Sequence, residues 1–149
     1  MTLLQHITTK VAIIGAGNVG ATLAYALLLS GLATEIVLID QNHKKAEGEA
    51  MDLTHAVPLA KPARIWAGTY EDTKGAAITV VTAGAAQRPG ETRLDLAQRN
   101  TDIFKSIINE IVKHNPNGLI LVATNPVDVL TYASIKISGL PANRVFGSG

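Results

Sequence analysis

Short apolar runs alternate with longer segments that favour helix along the whole chain. The apolar runs are rich in Val, Ile, Leu and Ala, which is typical of buried strands, and they predict six strands at 11–14, 35–39, 64–67, 77–81, 119–123 and 144–146. The longer segments predict four helices at 19–29, 43–57, 94–114 and 127–137. The pattern therefore predicts a chain in which strands and helices alternate.

A glycine-rich turn follows the first predicted strand. Gly15, Gly17 and Gly20 have the spacing G-x-G-x-x-G, and a helix rich in Ala and Leu begins at once. In a dinucleotide-binding turn the first glycine permits the tight turn, the second lets the backbone approach a pyrophosphate, and the third lets the helix pack on the strand. The first N–H groups of the helix would then face the phosphates. The spacing alone is weak, because glycines also mark ordinary turns.

An acidic residue, Asp40, ends the second predicted strand, 20 residues beyond the last glycine of the motif. A carboxylate at this position accepts hydrogen bonds from the adenosine ribose hydroxyls and repels the 2′-phosphate of NADP. The alternative role of Asp40 is that of a helix cap or a solvated loop acid. Strand, glycines, helix, strand and acid together predict dinucleotide binding with a preference for NAD, which the nearby Lys44 and Lys45 could weaken.

Alternating strands and helices with short connections predict an α/β fold with a parallel sheet and right-handed crossovers. Two mononucleotide-binding halves give the strand order 3-2-1-4-5-6 of a doubly wound Rossmann fold. The 149 residues suit one domain, and neither a repeat nor a low-complexity linker interrupts them. We therefore expect residues 1–149 to form a single dinucleotide-binding domain.

Composition fits this fold and argues against other classes of protein. Hydrophobic residues make up 47% of the chain and aromatic residues only 4%, which describes an interior of small aliphatic side chains between a sheet and its helices. A net charge of +1 argues against a nucleic acid partner. Without cysteine, neither disulfides nor thiolate metal sites form. The chain resembles neither a signal peptide at its start nor a membrane span elsewhere, so we expect a cytoplasmic location.

Three loops are expected to meet at the carboxyl edge of the sheet, near the switch point between the first and fourth strands. They are 15–20, 82–93 and 124–128. The second loop begins with small residues that a cofactor could approach, and it holds enough glycine and proline to move as a flap. The three loops together predict a ligand site.

Polar residues of these loops are candidates for contact with a substrate. Gln87, Arg88 and Arg93 could meet an oxygen-rich substrate, and Arg93 could polarise a carbonyl by a charge-assisted hydrogen bond. The alternative is that both arginines are solubilising loop charges. Asn125 precedes Pro126, so it either serves the turn or holds a nicotinamide or substrate oxygen, and the pattern does not decide between these roles.

Six segments of the chain carry a family resemblance: GAGNVG, EIVLID, AMDLTHA, AGAAQRPGETRLDLAQRN, LVATNPVDVLTYA and RVFGSG. Through them the chain resembles the NAD-binding N-terminal half of the L-lactate dehydrogenases, in the lactate/malate dehydrogenase family. The resemblance implies NAD as cofactor and, in a complete enzyme, hydride transfer between pyruvate and L-lactate. Arg93 matches the mobile-loop arginine that polarises the substrate carbonyl. Gln87 matches the specificity residue, where malate dehydrogenases carry an arginine for the second carboxylate of oxaloacetate.

The resemblance also implies further contacts. Asn125 and Asp128 would join Gln87 and Arg93 at the substrate. The glycines of the turn and Asp40 would hold NAD together with a larger set of residues: Asn18, Val19, Lys45, Tyr70, Thr82, Ala83, Gly84, Ala85, Ser106, Ala123, Thr124, Asn125 and Ser148.

In the family, the proton-exchanging histidine, its orienting aspartate and the arginine that clamps the substrate carboxylate come from the second half, which follows the segment resembled here. We therefore expect this chain to bind cofactor but to transfer hydride weakly or not at all alone. The four histidines fall away from the three loops, and their spacing indicates no metal site: they are His6, His43, His55 and His114. We interpret His114 as a helix-end charge and His55 as a packing or interface residue.

Two other functions stay open: an active NAD-dependent 2-hydroxy acid dehydrogenase completed by a partner chain, and a non-enzymatic nucleotide-binding module. The second predicted helix also resembles a family subunit interface, so we expect a homo-oligomer. Its apolar residues are Ala46, Ala50, Met51, Leu53 and Ala56.

Overall fold

The computed structural model describes residues 8–148, which contain one six-stranded parallel sheet. The strands are β1 (Lys10–Ile14), β2 (Glu35–Ile39), β3 (Arg64–Ala67), β4 (Ile78–Val81), β5 (Leu119–Val122) and β6 (Val145–Gly147). Their order in the sheet is β3-β2-β1-β4-β5-β6, and every neighbouring pair is parallel. This confirms the predicted doubly wound fold.

Four α-helices connect the strands, each within one residue of its predicted ends. They are α1 (Asn18–Ser30), α2 (His43–Ala56), α3 (Arg93–His114) and α4 (Val127–Ser138). The pattern missed a short 3₁₀ helix, Tyr70–Thr73, in the connection before β4. Thr69 and Asp72 cap it reciprocally, and the Thr69 N–H donates to Asp72 Oδ2 over 2.8 Å. A capping box of this kind satisfies the first backbone groups of a turn without the apolar periodicity that reveals a longer helix.

The central strands are buried on both faces, as a parallel sheet between two helical layers requires. Ala12, Ile14 and Val81 face one layer, where α3 contributes Phe104 and Ile108. The opposite face packs against α1 and α2. The sheet and these two helices together contribute the buried residues of this second core, which include Val11, Ile13, Ile36, Leu38, Ala24, Leu28, Ala46, Ala50 and Leu53. The sheet is therefore fixed from both sides, and only its edges remain for a ligand.

The structure shows which surface the apolar residues of α2 meet. Ala46, Ala50 and Leu53 are buried in the core of their own chain and present little surface to a second subunit, although Leu53 also lines a groove between α1 and α2. Their spacing of four and three residues places them on one side of the helix, which faces the sheet. Ala56 is partly buried, and only Met51 is well exposed, at 62% of its surface. These three residues thus serve the core of the domain, and a subunit interface on this helix stays a prediction.

Residues 8–148 include no helix that is both long enough and apolar enough to cross a lipid bilayer.

Candidate functional site

The packing of the turn after β1 requires two of its glycines. Gly15 has φ +106°, and a Cβ there would lie 2.7 Å from the backbone nitrogen of Ala83. A Cβ at Gly20 would overlap the carbonyl oxygen of Gly15. The Gly15 N–H donates to the Ile39 carbonyl over 2.7 Å, which ties the turn to the end of β2. These contacts hold the start of α1 close against the sheet.

Gly17 differs from Gly15 and Gly20 because a side chain at its position would have open space around it. Its backbone is extended, with φ −78° and ψ −175°, which any residue can adopt. Among the described residues, a Cβ built there would meet only the ammonium nitrogen of Lys45, at 4.0 Å. The first turn of α1 holds no acidic residue and no side-chain cap in this part of the structure, so its N–H groups face this space together with a cation. The arrangement suits a phosphate.

Asp40 lies beside the turn, at the carboxyl end of β2. One carboxylate oxygen accepts the Ala16 N–H and the other accepts the Asn42 N–H, each over 2.8 Å. Asp40 thus ties the glycine turn to the segment before α2, whereas the helix cap considered as an alternative is Asn42, whose side chain accepts the Lys45 N–H. An ionised carboxylate has about four acceptor positions, so two such bonds leave room for hydroxyl donors such as those of a ribose. The two roles are compatible.

Two threonine hydroxyls bind the three loops to one another. The hydroxyl of Thr82 donates to the Gly15 carbonyl over 2.9 Å, with Ile14 O at 3.2 Å. The hydroxyl of Thr124 donates to the Ala83 carbonyl over 2.8 Å. A threonine hydroxyl has one proton to give, so in this state both protons serve backbone carbonyls. Contacts of Thr82 and Thr124 with NAD stay predictions, and in this arrangement they would use the hydroxyl lone pairs or backbone groups.

The loop of residues 82–92, here called the β4 loop, is held by Arg99 of α3. The Arg99 guanidinium binds both carboxylate oxygens of Glu91, at 3.1 and 2.8 Å, and donates to the Ala86 carbonyl over 2.9 Å. A hydrogen bond from the Arg88 N–H lowers the pKa of the Glu91 carboxyl, and Arg99 lowers this pKa further. Sequence reasoning missed Arg99 and Glu91, because a pair eight residues apart across a loop carries no periodic signal.

A cavity of about 670 Å³ lies between the start of α3 and the face of α4. Arg93, Asn125 and Asp128 all line it, so the structure brings together three of the residues predicted to meet substrate. Gln87 does not line this cavity. Its side-chain amide donates to the Glu91 carbonyl over 2.8 Å, which turns it onto its own loop.

The remaining candidates for NAD contact are spread along the carboxyl edge and α3. Tyr70 is partly buried, and this burial raises the pKa of its phenol, with smaller contributions from Glu110 and Asp40. Ser106 is exposed on α3. Ser148 is also exposed, and its N–H donates to Val122 O over 3.0 Å just beyond β6. The Tyr70 phenol therefore stays neutral and able to donate a hydrogen bond at physiological pH.

The histidines of the described residues lie away from the cavity. His43 pairs with Glu47 on α2 and His114 with Glu110 on α3, each at 3.3 Å. His114 lies in the last turn of α3, and His55 is exposed in the last turn of α2. His6 lies outside the described residues. Within residues 8–148, acidic and histidine side chains form no group that could hold a metal ion.

Comparison with known proteins identifies the family that has this sequence. Residues 9–147 match the family described as lactate/malate dehydrogenase, NAD binding domain. The L-lactate dehydrogenase of Clostridium botulinum strain Langeland is 61% identical over 142 residues, which cover 95% of this chain and 45% of that enzyme. That of Thermoanaerobacterium saccharolyticum is 60% identical over 141 residues, covering 95% of this chain and 45% of that enzyme. The chain thus spans about half the length of these relatives.

Solved structures agree with the sequence relatives. The minor L-lactate dehydrogenase of Enterococcus mundtii, in a ligand-bound form, has a TM-score of 0.92 and 46% identity over 95% of this chain and 46% of that one. The malate dehydrogenase of Archaeoglobus fulgidus, in complex with NADH, has a TM-score of 0.90 and 49% identity over 95% of this chain and 49% of that one. Fold, glycine turn and family match agree. The chain belongs to the lactate/malate dehydrogenase family, in which it forms the NAD binding domain, and NAD is its cofactor.

Proposed function

We propose that this chain holds NAD(H) along its carboxyl edge as the cofactor half of an L-lactate dehydrogenase, and that alone it binds cofactor with little or no turnover. The observation that carries the proposal is the open space at Gly17, which lies beside the Lys45 ammonium and the uncapped start of α1. Packing within the described part of the chain does not require glycine at position 17. The missing side chain there instead makes room for a ligand.

The residues present fit NAD. The N–H groups of α1 and Lys45 would hold the pyrophosphate, and Asp40 would accept hydrogen bonds from the adenosine ribose. The small residues Ala83, Gly84 and Ala85, at the start of the β4 loop, leave room for the rest of the cofactor to pass. When bound, NAD supplies the hydride chemistry, and the protein supplies binding and orientation.

The substrate half of the proposal rests on the large cavity. Arg93 brings a permanent positive charge to a space that Asn125 and Asp128 also line, which suits the carbonyl of a small 2-oxo acid. Gln87 favours pyruvate over a dicarboxylic acid, because a neutral amide offers no charge to a second carboxylate. In this role the β4 loop would move so that Gln87 leaves Glu91 and faces the substrate.

Replacing Asp40 tests the proposal at the ribose. Asp40→Ala and Asp40→Asn are both expected to narrow the preference for NADH over NADPH, because each removes the charge that repels a 2′-phosphate. A hydrogen bond to a charged group contributes about 1.5–3 kcal/mol, so NADH affinity should fall about 10- to 150-fold in the alanine variant. Fluorescence titration with both cofactors measures this.

Asp40→Asn is the matched control for folding, because its amide oxygen can still accept one of the two backbone N–H groups. If the ratio of NADH to NADPH affinity is unchanged in both variants while both remain folded, Asp40 does not lie at the ribose.

Self-association is a further part of the proposal. A groove between α1 and α2 is lined by Tyr25, Glu49 and Asp52, and Met51 lies exposed on the same helix. We expect at least a dimer at micromolar concentration, since exposed apolar side chains favour burial against a second copy. Sedimentation velocity should show Met51→Glu weakening the dimer and Leu59→Glu, at an exposed residue of the short 3₁₀ helix that follows α2, leaving it intact. A monomer at every concentration would contradict the proposed self-association.

A cytoplasmic location stays a prediction from the sequence.

A further inference from the structure

Asn100 is a fully buried polar residue on α3, a helix that otherwise turns apolar side chains inward. Its side-chain amide both accepts and donates hydrogen bonds. The amide oxygen accepts the Ala85 N–H over 2.8 Å, and the amide nitrogen donates to the Asn125 carbonyl over 3.2 Å, with Ala85 O at 3.5 Å. One side chain thus joins two loops that are separate in sequence, the β4 loop and residues 123–126, here called the β5 loop.

The environment explains why an amide is needed there. A buried amide without partners is costly, and an aliphatic residue of similar size would leave the Ala85 N–H and the Asn125 carbonyl without this partner. Asn100 carries both a donor and an acceptor, and the two loops offer one backbone group of each kind. Ala85 is only half-buried and Asn125 is exposed, so the amide stabilises backbone that the core does not cover.

The same region is closely packed. A Cβ at Gly84 would press against the Thr124 methyl group and lie 3.4 Å from the Asn100 amide oxygen. The Thr124 hydroxyl also donates to the Ala83 carbonyl. Residues 83–85 are therefore held against the β5 loop by packing and by hydrogen bonds.

We infer that Asn100 is a positioning residue that holds the β4 loop, which carries Gln87, in register with the β5 loop, which carries Asn125. Its own side chain does not line the cavity, and it acts through its hydrogen bonds to Ala85 and to Asn125, which does line the cavity. Its effect on NADH binding rests on the proposed function. Its effect on the two loops does not, since the hydrogen bonds are present without ligand.

The test compares two buried asparagines. Asn100→Leu removes both bonds at similar volume. Asn115→Leu removes a single buried bond, from its amide to Ala76 O over 2.8 Å, at the opposite edge of the sheet. By NMR on the ligand-free chain, hydrogen exchange of the Ala85 amide should accelerate about 5- to 150-fold in Asn100→Leu, as loss of a buried hydrogen bond implies, and remain unchanged in Asn115→Leu.

Asn100→Asp distinguishes the bond to Ala85 from the bond to Asn125. It also replaces the leucine variant in the test if that variant does not fold. Its carboxylate still accepts the Ala85 N–H but cannot donate to Asn125. Protection of Ala85 should be retained while the carbonyl chemical shift of Asn125 changes. Asn100→Leu should change both signals, and NADH affinity should fall more in Asn100→Leu than in Asn115→Leu.

Equal exchange at Ala85 in Asn100→Leu and the unaltered chain would overturn the inference, as would an unchanged Asn125 carbonyl shift in both Asn100 variants. Failure of the unaltered chain to bind NADH would contradict the proposed function instead and leave the exchange comparison decisive for Asn100.

Discussion

Gly17→Ala is expected to weaken NADH binding by about 10- to 150-fold while leaving the melting temperature almost unchanged. The new methyl group meets nothing closer than the Lys45 ammonium among the described residues, and the extended backbone accepts alanine without strain. In the complex the same methyl group would stand where the backbone approaches the pyrophosphate. The loss corresponds to one hydrogen bond to a charged group, about 1.5–3 kcal/mol.

Two other glycines supply the controls. Gly20→Ala is expected to lower stability by about 1–3 kcal/mol or more, because its Cβ would overlap the Gly15 carbonyl oxygen. Gly48→Ala, in the middle of α2 with open space around it, should raise stability by about 0.5–1 kcal/mol and leave NADH affinity unchanged. Calorimetric titration measures NADH affinity and thermal melts measure stability, so together they distinguish the three glycine variants. A Gly17→Ala variant that binds NADH as the unaltered chain does would contradict the phosphate site.

The second large effect concerns turnover, since this chain alone is expected to oxidise NADH with pyruvate slowly or not at all. Reduction of a carbonyl places negative charge on its oxygen, and a positioned acid contributes about 10²- to 10⁴-fold by delivering a proton there. Arg93 can polarise the carbonyl, but its guanidinium does not give up its proton. Among residues 8–148 no histidine lines the cavity that Arg93 enters.

Absorbance of NADH at high pyruvate, followed with purified chain and with Arg93→Ala, measures this. Robust turnover that Arg93→Ala abolishes would contradict the expectation, because it requires a proton donor within these 149 residues. Turnover that appears only when a second polypeptide is added would favour the alternative of an enzyme completed by a partner chain.

Most of the fold followed from local pattern. Each strand is a short run of β-branched and aliphatic residues bounded by a turn, which is the pattern expected of parallel strands that are buried on both faces. Gly15 and Gly20 could also be interpreted from sequence, because the strain of a positive φ and the close approach of a helix both require glycine.

The α2 stripe and the loop contacts could not be predicted in the same way. An apolar stripe such as Ala46, Ala50 and Leu53 serves a core or an interface equally well, and only the fold shows which surface it meets. The bonds of Asn100 join residues 15 and 25 positions apart. The contact of Gln87 with Glu91 depends on the shape of a loop, which neither periodicity nor spacing specifies.

The most direct test of cofactor binding at the glycine turn is the pattern of backbone amide shifts when NADH is added to the folded chain. Binding at this turn predicts saturable changes at Ala16, Gly17 and Asn42, around the glycine turn and Asp40, with little change at Ala76 and Asn115 on the opposite edge of the sheet. Changes confined to that opposite edge, or no change at saturating NADH, would contradict it.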